Sequence, residues 1–196
     1  GDVYKRQDKD VAFTGSGELD NGTTFSMTAT TNDAHGISSS TTVITTPSYG
    51  SFTFGSGTGG ASGAYDEEVP QVYEQVSDGK DTVSNKVGDF MDNNYVMYTS
   101  PTLDLMGASV TAHLGYSPQA SDSAVGDGSS VTYDATVGVG KEAGITIAYG
   151  GLKAGFYGAE RERTVPYTAG ATGNYQTDEF NGAWYAKYTI CLLYTS

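Results

Sequence analysis

Apolar and polar residues alternate one by one through most of this chain, and a period of two suits only a strand whose two faces meet different surroundings. Val11–Leu19 sets Val11, Phe13, Gly15, Gly17 and Leu19 against Ala12, Thr14, Ser16 and Glu18, and Asp20-Asn21-Gly22 then supplies a tight hairpin turn. Thr23–Thr31 sets Phe25, Met27 and Ala29 against Thr24, Ser26, Thr28 and Thr30, a second face that is wet. Ser39–Thr46, Ser51–Gly57, Asn94–Ser100, Gly107–Ser117, Val131–Val139, Ile145–Gly158 and Phe180–Ile190 continue the scheme. Pro101–Met106 and Lys141–Gly144 read as turns, and Glu160–Thr177 reads as a long loop. The phase changes at Gly150-Gly151, where a glycine bulge within one strand competes with a two-residue hairpin. The bulge is preferred, because a hairpin would interrupt the alternation of short and long connections. About nine strands result, with short turns at one end of the sheet and long polar loops at the other.

The longest connection is Gly57–Asn94, too long for a plain link inside a compact domain and so expected to be functional. It carries Asp66, Glu67, Glu68, Glu74, Asp78, Asp81, Asp89 and Asp92 against Lys80 and Lys86. The glycine-rich Gly55–Gly63 at its start lacks the lysine and following helix of a phosphate loop, so it reads as backbone for close packing or a sharp inward turn.

Composition bears on what such a sheet can face. A net charge of −13 argues against binding nucleic acid through phosphates. An apolar fraction of 37% beside 27 glycines and 15 tyrosines suits strands with unlike faces better than a large dry core. No segment approaches the roughly 18 apolar residues of a spanning helix, but a closed barrel also satisfies its backbone without water. Strands of about ten residues with aromatic ends and a Thr, Ser and Gly face fit a transmembrane barrel.

The termini read differently from the rest. Asp2–Gln7 and Cys191–Ser196 can be translated from the two strands of one short DNA duplex that resembles a transposon end used in sequencing libraries. Residues 1–7 and 191–196 are therefore expected to be scars flanking a segment cut from a longer parent. Cys191, the single cysteine, is then foreign, and no disulfide or thiol chemistry is expected.

Phe13–Phe25 (FTGSGELDNGTTF), Thr46–Gly57 (TPSYGSFTFGSG) and Asn93–Ser117 (NNYVMYTSPTLDLMGASVTAHLGYS) resemble the general diffusion porins of Gram-negative bacteria, especially alphaproteobacterial and marine ones. The resemblance implies an all-β, antiparallel up-and-down transmembrane β-barrel, of which residues 8–190 would be part of about sixteen strands. It implies a homotrimer in the bacterial outer membrane, in contact with lipid and lipopolysaccharide. The pore would pass ions and small hydrophilic solutes passively, and Gly57–Asn94 would be its constriction loop. One departure stands out: the early wet faces hold no Lys or Arg to oppose the acidic loop.

The expected constriction residues are Asp66, Glu67, Glu68, Glu74 and Asp78, with Glu18, Asp134, Lys153 and Lys187 as further charges facing the lumen. Acidic rings favour cations, so a cation preference is expected. Glu67, Glu68 and Glu74 have no nucleophile or oriented acid/base partner nearby, so no enzyme is expected; calcium binding stays open, and no other cofactor is implied. His35, His113 and the cluster Arg161, Glu162 and Arg163 read as solvated polar residues. The competing reading is an all-β surface or adhesion module that does not transport, with calcium binding open to it.

Overall fold

The computed structural model describes residues 10–32, 36–66, 68, 90–91, 94–120, 137–163 and 178–189. They form one antiparallel sheet of ten strands: β1 (Val11–Glu18), β2 (Thr24–Thr31), β3 (Ile37–Thr46), β4 (Gly50–Ser56), β5 (Tyr95–Thr99), β6 (Leu103–Leu105), β7 (Ala108–Ser117), β8 (Val137–Tyr149), β9 (Leu152–Arg163) and β10 (Glu179–Tyr188). The order is β1-β2-β3-β4-β5-β7-β8-β9-β10, with β6 also on β7, so the chain runs up and down through its neighbours. The sheet is open, with β1 and β10 at its edges. No helix among the described residues is long and apolar enough to cross a membrane.

Local chemistry explains the connections. Gly22 takes a φ of 78° after Asp20 and Asn21, and its N–H donates to the Leu19 carbonyl at 2.9 Å, closing the first hairpin as the sequence suggests. The turn expected over Pro101–Met106 is instead an interruption followed by β6. Pro101 has no N–H to give the ladder, and the Ser100 hydroxyl takes the Ala112 N–H at 2.9 Å. β5 and β6 thus act as one broken stave along β7, and the turn falls at Met106 and Gly107, with φ of 58° and 85°.

Three other expectations are corrected. Lys141–Gly144 lies inside β8, paired residue by residue with Tyr116 to His113. Gly150-Gly151 is a hairpin rather than a bulge: Tyr149 pairs with Leu152, and Gly150, at a φ of 56°, takes the first central position that suits glycine in a type II′ turn. The change of phase is what two strands meeting at such a turn produce. β9 runs on to Arg163, where a loop was expected from Glu160. In the strand expected over Val131–Val139, residues 131–136 lie outside the described residues.

Residues opposite each other in an antiparallel pair share a face. One row runs Phe25, Ile44, Phe52, Tyr98, Leu114 and Ala143; another runs Ile145, Phe156 and Trp184. Phe25, Phe52, Phe54, Leu114, Phe156 and Trp184 on this side are exposed. The other face carries Ser26, Val43, Thr53, Met97, Gly115, Glu142, Ala159 and Asn181 in one row. The core lies on this second side, where Ala61, Tyr65 and Phe90 from the long connection pack on Tyr157 and Ala159. A soluble sandwich buries its apolar face; this sheet buries the part of its polar face beneath the long connection and leaves the apolar one bare.

Candidate pore constriction

Three glycines turn the chain inward as it leaves β4: Gly57, Gly59 and Gly60 have φ of 68°, 76° and 66°, a region costly for other residues. Ala61 and Ser62 then lead into one helical turn, Gly63–Asp66, with the Ser62 hydroxyl donating to the Gly59 carbonyl at 2.9 Å. This turn lies against β9 and β10. Tyr65 is its anchor, only 3% exposed. Its ring meets Tyr157 at 5.2 Å, Tyr185 at 6.3 Å and the edge of His113 at 5.9 Å. It fits because Gly144 lies beneath it; a Cβ there would be 2.4 Å from the Tyr65 hydroxyl. Burial pushes the Tyr65 phenol above its usual 10.0, so the anchor stays neutral.

A carboxylate fixes the same limb. The Ala61 N–H donates to Glu142 Oε1 at 3.0 Å, and the Tyr157 hydroxyl donates to Glu142 Oε2 at 2.7 Å. The returning limb is fixed one row away, where Phe90 and Met91 are buried and the Arg161 guanidinium lies 4.6 Å from the Phe90 ring centre. Arg161 is 1% exposed, so it is no part of a solvated loop. Glu162 points to the opposite face and meets Lys141 at 3.5 Å. His113 is also corrected: it is half-buried beneath Tyr65, on the face that the loop covers.

Glu68 sits between Lys153 and Lys187, and each ammonium donates to one of its carboxylate oxygens. The two lysines are direct partners across β9 and β10, which is why a single carboxylate reaches both. The Lys153 hydrogen bond first, and the Lys187 one next, hold the Glu68 carboxyl below its usual 4.5. A lowered carboxylate contributes its attraction above the unfolded value and loses it as the pH falls through the folded one. The Glu68 link to the two lysines should therefore persist from neutral pH to 4.5 and be lost only below that, as an NMR titration of the Glu68 carboxyl would show.

The other expected site residues are placed as follows. Asp66 closes the helical turn. Glu18 ends β1, exposed and far across the sheet from the lysines. Glu67, Glu74, Asp78, Asp134 and His35 lie outside the described residues. Among the described residues, no group of three or more His, Cys, Asp or Glu could hold a metal ion. Sequence reasoning missed Glu142, Tyr65, Tyr157, Tyr185 and Arg161. The signal available was the run Gly115, Gly144 and Gly155 on a wet face, which reserves space for rings and a carboxylate arriving from elsewhere.

A family model described as a Gram-negative porin matches residues 1–189. No curated protein and no solved structure matches the chain.

Proposed function

Because the chain belongs to the Gram-negative porin family of the bacterial outer membrane, we propose that its ten strands form one wall of a larger closed barrel, with Gly57–Asn94 narrowing a water-filled pore. Transport is passive, for ions and small hydrophilic solutes, and the protein acts as a channel rather than an enzyme. The observation that carries this reading is the inversion of the sheet: the face bearing Phe52, Leu114 and Phe156 is bare, while the face bearing Glu142, Lys153 and Tyr157 receives the long connection. Lipid and lipopolysaccharide would cover the bare face, and the likeness to general porins supports a homotrimer.

A cation preference is proposed from the acids of the loop, namely Asp66, Glu67, Glu68, Glu74 and Asp78, with Glu18 and Asp134 adding to them. Lys153 and Lys187 oppose it by holding Glu68. The test of passive diffusion is swelling of liposomes that carry the full barrel. Uncharged sugars should enter at rates that fall steeply with size and do not saturate. No swelling beyond empty liposomes would reject the pore.

A further inference from the structure

The two limbs of the long connection meet at one place on the wall, and Glu142 is there. A Cβ at Gly60 would lie 2.7 Å from Glu142 Oε1 and 2.7 Å from the Met91 Cβ, so the outgoing and returning limbs touch each other beside this carboxylate. Gly115, on the neighbouring strand, leaves the rest of the space: a Cβ there would lie 2.4 Å from Glu142 Cγ and 2.5 Å from Oε1. The Ala61 N–H and the Tyr157 hydroxyl both donate to Glu142, and the residue is 5% exposed.

We infer that Glu142 is the positioning residue of the inward loop, holding its neck closed against the wall and so setting where the segment between the limbs stands in the pore. This rests on the porin reading above. An apolar side chain of the same length could fill the space between Gly60 and Gly115 but would leave the Ala61 N–H and the Tyr157 hydroxyl without this acceptor. A shorter one would leave the limbs without a common seat. The carboxylate does both jobs from the wall.

The test compares Glu142→Ala, Glu142→Gln and Gly115→Ala in the full barrel. Each is read by single-channel noise, by the size cut-off for uncharged polymers, and by trypsin cleavage after Lys80 or Lys86. Glu142→Ala should keep a heat-resistant barrel, raise noise and cleavage severalfold and blur the cut-off. Glu142→Gln keeps an acceptor and should restore all three. Gly115→Ala pushes the carboxylate aside and should reproduce the alanine variant, with no further change in the double variant. If Glu142→Ala does not fold, Tyr157→Phe removes one donor alone and should raise noise and cleavage more modestly. Wild-type values in Glu142→Ala, or in Tyr157→Phe where that variant is needed, would overturn the inference, as would failure of glutamine to rescue. A wild-type barrel without conductance would strike the porin reading instead, and cleavage after Lys80 and Lys86 would still decide whether Glu142 holds the loop.

Discussion

Arginine at Met27 should destabilise the lipid-embedded barrel by about 2–4 kcal/mol, whereas arginine at Thr28, one residue along, should cost little. Both positions lie near the middle of β2, at the same depth. Met27 is 53% exposed on the apolar face, where a charged group would stand in hydrocarbon with no partner. Thr28 pairs with Thr14 and Thr41 on the hydroxyl-lined face, where water would solvate a guanidinium. Urea titration of barrels folded into vesicles measures both, with resistance to unfolding in detergent as the readout. Equal penalties would mean that neither face meets lipid.

The second large effect concerns charge. Changing Glu67, Glu68 and Glu74 together to Gln should reduce the cation preference severalfold or reverse it, because like charges confined between low-dielectric walls concentrate their counter-ions. Glu68→Gln alone should give a large part of that shift, since it removes one negative charge and also releases Lys153 and Lys187 from their shared partner. Changing both lysines to Gln should move selectivity the other way. These shifts should shrink as salt rises, since the screening length falls from roughly 10 Å at 0.1 M to about 3 Å at 1 M. Reversal potentials under a salt gradient measure them all. An unchanged reversal potential in the triple variant would show that this loop does not set selectivity.

The strands and their facing were legible in the sequence because alternation is a local property. Val110 and Leu114 needed only their neighbours to be assigned to one face, and the register bears that out. What was misread depended on contacts distant in sequence. Gly140 and Gly144 look like punctuation beside Lys141, yet they are small because Met91 and Tyr65 rest on them. Arg161 looks solvated between Glu160 and Glu162, yet alternation sends it to the covered face, where Phe90 meets it. The Gly150-Gly151 hairpin was within reach of the pattern, since the shift from odd to even apolar positions is the mark of a two-residue turn; the expectation of alternating connection lengths overrode it. The candidate constriction was legible as an acidic stretch between strands, but its attachment was not. Glu68 with two lysines, and Glu142 with Ala61, join residues that no local spacing brings together.

The most direct test of the central claim, that one face of these strands lines water, is a single-channel recording on the full barrel with Thr28→Cys as its one cysteine. A water-soluble, charged thiol reagent should then lower the conductance in discrete steps. The same reagent should leave a Met27→Cys channel unaltered. Absence of any channel, or equal modification at the two positions, would contradict the account.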